Sequence, residues 1–396
     1  MSKKKNSVLG LVITGSVAFA GLCLLLTGLI QLINARQPTR SSLVDRLSTT
    51  DKFRLAEVFQ LRQVLGDQVM PGWAQAEIPV IAFNEEYLFL VGCWEPAPGW
   101  RKVPQGTQMG RAWEVVPGDD FNGQPYYRQK LIAPGVTTEN FTVQVGDRWV
   151  ASLMSLEWMK ISLTSEMRND IPALLQPLIP YPLVVSLFVP GSDTYITGVL
   201  HEAMHAYQGI RAPKRLADAE EASRRLSSQY PWEDQAFQDD WQAELDLLHG
   251  AMRASSQEET LRLARAFLQQ RAERRIAAKL TADLIDFERQ REWEEGVAKY
   301  AERFIYLLAA QTESYQPLPE LNQDREFHHY QDAQQKWDQE IDQIRRMAGD
   351  EGDGRFYYSG FAQAVLLDRL APGWKERLFE EVVWLEDLLA EAAGTP

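Results

Sequence analysis

Cysteine is nearly absent from this chain of 396 residues, which holds only Cys23 and Cys93. Cys23 lies inside an apolar run near the N-terminus, so Cys93 has no partner in the rest of the chain. No disulfide framework is therefore available, and stability has to come from burial. Basic residues are also short: 41 Lys and Arg stand against 55 Asp and Glu, for a net charge of −14. Proteins that neutralise phosphates concentrate Lys and Arg, so the balance excludes nucleic acid as the partner. No self-similarity recurs at 20–50 residues, which excludes solenoid and propeller arrays. Histidine is scarce too, limited to His201, His205, His249, His328 and His329. What is present, 45% hydrophobic and 24% charged residues, is the composition of a folded protein.

One long apolar run stands out. Residues 8–30 carry no charge over 23 positions, which as a helix reach roughly 35 Å, enough for a hydrocarbon core of about 30 Å. Ala18-Phe19-Ala20 resembles a signal cleavage site, but cleaved signals have apolar stretches of only about 7–15 residues. Leu22 before Cys23 disfavours a lipoprotein signal. The expectation is an uncleaved transmembrane anchor over 8–33 after a cytoplasmic segment, 1–7. Lys3, Lys4 and Lys5 before the span outweigh Arg36 and Arg40 after it. That asymmetry puts the N-terminus inside and the remainder outside the cell membrane.

Residues 34–50 are polar, contain Pro38 and read as a stalk. Residues 51–190 read as a mixed α/β part. A helix is expected over 51–65, two short strands over 79–92 around Asn84-Glu85-Glu86, and a hairpin over 141–153 turning at Gly146-Asp147. The Pro-, Gly- and Trp-rich stretch 96–123 reads as irregular. The β-branched run 182–189 reads as a further strand. From Asp193 on, only helical patterns occur, so 191–396 is expected to be mainly helical and the fold class α+β. Leu261, Leu268, Ile276, Leu280, Leu284 and Phe287 are spaced as one face of a long helix. That spacing leaves Arg271, Arg274, Arg275, Glu288 and Arg289 in solvent.

His201-Glu202-Ala203-Met204-His205 is the segment that carries chemistry. Residues i and i+4 of a helix share a face, so both imidazoles reach one metal ion, while Glu202 is turned aside to act as a base. Ser192, Asp193 or Thr194 is expected to cap this helix and Gly209 to end it. Its uncharged neighbours Gly198, Val199, Leu200, Ala203, Met204 and Ala206 predict burial, where unsatisfied imidazoles are costly. One protein ligand is then missing. Glu220, Glu221, Glu244, Glu294, Glu295 and His249 are the candidates. No third histidine follows closely, which excludes the metzincin pattern. Periodicity from Leu284 and Phe287 puts Glu294 nearer the middle of the apolar stripe than Glu295, provided the helix is unbroken through Trp293. Glu244 reads as a solvated helix residue, and His328 and His329 as surface residues. Asn140-Phe141-Thr142 is a glycosylation sequon.

The segment Trp293-Glu294-Glu295-Gly296-Val297-Ala298-Lys299-Tyr300-Ala301-Glu302 resembles the third-ligand segment of gluzincin peptidases. The likeness is closest to the aminopeptidase N-type family, with its Glu-Gly-x-Ala-x-Tyr run. The resemblance implies Zn2+ as cofactor and Glu295 as the ligand that joins His201 and His205, with Glu294 and Glu244 as alternatives. Glu295 lies 90 residues after His205, a longer gap than in that family, implying an inserted helical hairpin. Tyr357-Tyr358-Ser359-Gly360 is similar to the family's Tyr-x-x-Gly. This implies Tyr357 as an oxyanion donor, or Tyr358 if the register slips by one, and the loop 348–354 would suit a site entrance. No Gly-x-Met-Glu-Asn segment is present, so exopeptidase activity is not implied.

The expected function is a membrane-anchored zinc peptidase. Glu202 would deprotonate a water activated by the metal and return the proton to the leaving amine of a peptide or protein substrate. A strand in 141–153 or 182–189 would hold that substrate extended. The alternative is a non-catalytic, zinc-containing scaffold or binding protein tethered to the membrane. A structural site is closed by four protein ligands, whereas three leave one position open.

Overall fold

The computed structural model describes residue 19 and residues 21–104, 106–189, 191–350 and 352–394. Residues 8–18 and Ala20 of the expected anchor lie outside the described residues. What is described of it is helix α1 (Gly21–Ala35), which is apolar. Among the described residues no single helix is long and apolar enough to cross a membrane. The chain divides into two compact units, Met1–Val44 with Ser155–Pro190, and Asp45–Met154 with Gly191–Pro396.

The second unit begins with α2 (Thr49–Val69), whose N-cap Ser48 accepts the Asp51 N–H at 3.0 Å. Seven strands follow: β1 (Val80–Phe83), β2 (Tyr87–Val91), β3 (Arg101–Lys102), β4 (Glu114–Val115), β5 (Tyr127–Lys130), β6 (Phe141–Val145) and β7 (Arg148–Met154). Their order in the sheet is β3-β6-β7-β1-β2-β5-β4, with β1 and β7 parallel and all other neighbours antiparallel. Both expected hairpins are present. The first turns because Asn84 Oδ1 accepts the Glu86 and Tyr87 N–H groups, and the second because Gly146 takes a positive φ. Among the described residues of 96–123 the strands are the two-residue β3 and β4. Strand β5, with the polar sequence YRQK, has no apolar alternation to announce it.

After β7 the chain enters the first unit for α3 (Leu156–Asp170) and α4 (Tyr181–Phe188). Residues 182–189 are therefore not a strand. Pro182 near the start presets a helical φ, and Tyr181 and Val185, one turn apart, are the residues buried. The chain returns to the second unit with α5 (Ser192–Arg211), the helix carrying His201 and His205. Gly191 is its N-cap, and no side chain caps it. The expected capping residues are engaged elsewhere. Ser192 Oγ donates to Asp324 at 2.6 Å, and Asp193 accepts the His328 and Tyr330 N–H groups at 2.7 and 2.6 Å. Gly209 does not end the helix either. The Trp149 ring of β7 lies where a Cβ of Gly209 would stand, so the glycine lets α5 lie close on the sheet.

The remaining helices are α6 (Pro213–Leu226), α7 (Gln235–Arg253), α8 (Gln257–Ala277), α9 (Ala282–Arg291), a π-helical segment (Glu292–Gly296), α10 (Val297–Gln311), α11 (Ala333–Gln343), α12 (Gly354–Leu370), α13 (Trp374–Arg377) and α14 (Leu385–Ala393). The mixed α+β class is thus present, with no strand described after Asp193. The expected long apolar face is not. The helix breaks between α8 and α9, where Lys279 has φ 52°, and Ile276 is 76% exposed.

The face that α8 buries is Thr260, Ala264, Phe267, Arg271 and Arg274. Both arginines, read from sequence as solvated, are enclosed. Arg271 meets Glu244 of α7 at 3.1 Å, Glu292 at 2.6 Å and Glu386 of α14 at 3.0 Å. Arg274 pairs with Glu244 and, at 2.6 Å, with Glu288 of α9, and Arg275 reaches Glu288 and Glu386 at 2.8 Å. Arg289 is partly buried against Glu386. Glu244 and Glu288 are likewise buried, because each charge finds several opposite ones in fixed geometry.

Removing one member strands its partners. Arg274→Met is expected to cost about 3–5 kcal/mol, read by urea unfolding. Burial alone would raise Glu288, but Arg274 and Arg275 hold it down to about 2. Its contribution is therefore complete above the usual carboxylate value near 4.5 and lost as pH falls towards 2. Unfolding curves at stepped pH should show this loss, and Glu288→Gln should flatten it.

Candidate metal centre

Helix α5 lays His201 and His205 one turn apart, and the π-helical segment presents Glu295 to both. The Nε2 atoms of the two histidines are 3.2 Å apart. Glu295 Oε2 stands 3.5 Å from His201 Nε2 and 3.4 Å from His205 Nε2. All three residues are buried. Glu295 Oε2 has no hydrogen-bond partner, and neither has the buried Oε2 of Glu202.

Each donor is oriented by a neighbour. Gln208 donates its amide N–H to the carbonyls of Trp293 and Glu294 at 2.7 and 3.1 Å. Its Oε1 must then accept, from His205 Nδ1 at 2.9 Å. That fixes the proton on Nδ1 and leaves Nε2 as a bare donor atom. Glu302 of α10 stands behind the other imidazole, with Oε2 at 3.4 Å from His201 Nδ1. Arg291 holds the other oxygen of Glu295, Oε1, at 2.8 Å.

The donor set fits a tetrahedral divalent ion. Bonds of about 2.0–2.2 Å at tetrahedral angles separate ligand atoms by about 3.3–3.5 Å, close to the triangle observed. The charge balance agrees. Burial would lower the pKa of His201, yet Glu295 and Glu302 raise it to about 10, so the cluster retains a proton that a dication would displace. His205 is lowered by burial against the pull of Glu295.

Electrostatics also separates the two adjacent glutamates. Burial would raise Glu295, but His205 and Arg291 hold it well below the usual range. Glu294 pairs with Arg291, yet burial and the carboxylates of Glu220 and Glu295 push it well above. The two neighbours are thus pushed in opposite directions, Glu295 towards the ionised form and Glu294 away from it. The π-helical segment explains why periodicity from α9 favoured Glu294, since a π-turn carries one extra residue and shifts the phase of everything after it.

Glu202 is raised by burial to about 8, with His201 opposing the shift and Glu295 and Glu302 reinforcing it. Tyr357 stacks on His201, with ring centroids 5.8 Å apart and planes 7° from parallel. Burial and the Glu295 carboxylate raise its hydroxyl well above the usual range, so it stays a donor. Tyr358 faces away, donating to Glu340 at 2.7 Å.

Two glycines make room for this approach. At Gly296 a Cβ would overlap the Gly360 backbone, and at Gly360 it would meet Glu292 O and Gly296 Cα. Helix α12 thus crosses the π-helical segment backbone against backbone, with Tyr357 one turn before the crossing.

The other candidates do not join the triad. Glu244 is held in the ion network, not in solvent. His249 pairs with Asp342 at 3.2 Å, and Glu221 pairs with Arg224 on the surface. Glu220 reaches Arg291 at 3.2 Å and so borders the site. Of the loop 348–354, Glu351 lies outside the described residues and Asp353 binds Arg291 at 2.8 Å. His328 and His329 are exposed. Asn140 uses its Oδ1 to accept the Met154 N–H. Sequence reasoning missed Gln208, Arg291 and Glu302 as supporting residues. Their only signal was position, three after His205, four before Glu295 and seven after it. No family model, curated protein or solved structure matches the chain.

Metal content after dialysis tests the donor set. Glu295→Gln and His205→Ala are expected to lose a stoichiometric ion that Glu244→Gln and Glu294→Gln keep. Gly360→Ala should cost about 1–3 kcal/mol of stability through overpacking and weaken metal retention as well.

Proposed function

We propose that the protein is a membrane-anchored, zinc-dependent peptidase of gluzincin type, with a zincin-like catalytic part in the second unit. The observation that carries this reading is a set of three donors beside the buried Glu202, whose Oε2 has no hydrogen-bond partner. His201, His205 and Glu295 would hold zinc, which when bound would supply a Lewis acid and lower the pKa of water from about 15.7 to about 7. Glu202 then takes the proton of the attacking water and delivers it to the leaving amine. Its raised pKa suits both halves of that transfer near neutrality. Tyr357 directs its hydroxyl at the charge that develops on the carbonyl oxygen. Glu302 and Gln208 keep the imidazoles in the tautomers that bind the metal.

The sheet edge supports a peptide as the substrate. Strand β3 pairs with β6 only at Val143 and Gln144, which leaves β6 without a β3 partner at Phe141 and Thr142. The Phe141 ring lies 4.7 Å from that of His205. An extended peptide added there gains main-chain hydrogen bonds along the catalytic helix. The net charge of −14 and the apolar N-terminal run support a membrane location without a nucleic-acid partner.

Glu202→Gln is expected to keep stoichiometric zinc while peptide hydrolysis falls by about 10²–10⁴. Tyr357→Phe should lower kcat by about 10²–10³ with a small change in KM. Cleavage of a peptide library by the full chain, read by mass spectrometry, measures both. Unchanged hydrolysis in Glu202→Gln would remove Glu202 as the base, and no hydrolysis by the parent chain would leave a binding protein.

A further inference from the structure

Between Asp170 and Asp193 the chain carries no charged residue, yet five prolines, Pro172, Pro177, Pro180, Pro182 and Pro190, interrupt the stretch. So many breaks forbid a continuous spanning helix. The apolar side chains of this stretch are not folded inward. Leu174 is 86% exposed, Leu187 76%, Phe188 69% and Leu183 63%, with Leu175 and Leu178 also exposed. In the second unit the exposed large apolar residues, such as Val64, Ile132 and Ile276, are scattered singly along the chain. A concentration of this kind in a short segment marks a surface that something apolar covers.

The first unit indicates what covers it. The end of α1 is tied to this same stretch through Asn34, whose Nδ2 donates to Ile179 O at 2.8 Å. Asn34 Oδ1 accepts the Tyr181 N–H at 3.2 Å, and Asn34 O accepts from Arg168 at 3.2 Å. Asn34 lies four residues past the end of the run 8–30, about 6 Å along a helix, which is headgroup depth for an anchor ending there. Arg168 lies over the Tyr181 ring at 5.0 Å, a basic and aromatic pair of the kind found at membrane interfaces.

We propose that residues 171–189 form a second membrane contact. In it Leu174, Leu178, Leu183, Leu187 and Phe188 insert shallowly into the leaflet from which the anchor emerges. The occupant is lipid acyl chain at the interface, not a second protein. The inference rests on the anchor reading in the proposed function. Insertion is shallow because the helical pieces here are short and the breaks at the prolines need their polar backbone within reach of water and headgroups.

Spin labels on the full chain in phosphatidylcholine–phosphatidylglycerol vesicles test it. Cys23 and Cys93 are replaced by Ser, and single cysteines are introduced as Leu174→Cys, Leu187→Cys, Leu26→Cys in α1, and Ile276→Cys. The expected result is relaxation by oxygen several-fold stronger than by a water-soluble nickel complex at 26, 174 and 187, and the reverse at 276. If 26 reports lipid while 174 and 187 behave like 276, the second contact is wrong and the anchor stands. If 26 is aqueous, the anchor reading fails and takes the second contact with it. Spin–spin broadening between labels at 187 on separate chains would put a second copy on the face and overturn the lipid assignment.

Discussion

The ion pair between Arg271 and Glu292 is the constraint on which the candidate site depends. Glu292 is the first residue of the π-helical segment, and its Oε1 also accepts from Ser359 of α12. One carboxylate therefore ties α8, the segment and α12 together, out of water. Arg271 in turn shares Glu244 with Arg274 and Glu386 with Arg275, so α7, α9 and α14 join the same lattice of charges. In the interior such a lattice adds little net stability over apolar packing, but misplacing any member is costly. It acts as a registration device, three residues from Glu295.

The site itself is a buried cluster of acidic and imidazole side chains with arginines set behind it. Arg291 and Arg303 take one oxygen each of Glu295 and Glu302, while the Nε2 atoms of His201 and His205 face each other beside the second, unpartnered oxygen of Glu295. Chemically equivalent glutamates are thereby assigned different states by their surroundings alone. Glu294 is pushed up, Glu295 is held down, and Glu202 is raised to about 8.

Some of this was readable in sequence and some was not. The two hairpins were legible because a turn with a defined side-chain or glycine requirement separated apolar alternations. The HExxH helix was legible because an imidazole pair at i and i+4 among uncharged neighbours has few other uses. The gathering of Glu295 and Tyr357 about His201 followed from short motifs whose glycines, Gly296 and Gly360, prove to touch each other. The ion network was illegible, because a charge pattern gives no sign that its partners arrive from α7, α9 and α14. Residues 182–189 misled because β-branching outweighed the prolines that set the backbone. Periodicity failed at Glu294 because it assumes 3.6 residues per turn, and the segment departs from that.

The π-helical segment also makes ligand choice a matter of counting residues. Removal of a single residue from 292–296 would restore α-helical phase and turn everything beyond it by about 100° relative to α9. Adjacent glutamates would then exchange roles, or the triad would lose its carboxylate. In a lineage of such chains, loss of the codon for Trp293 would exchange the carboxylate of the candidate triad while leaving the codons for His201, His205 and Glu295 intact.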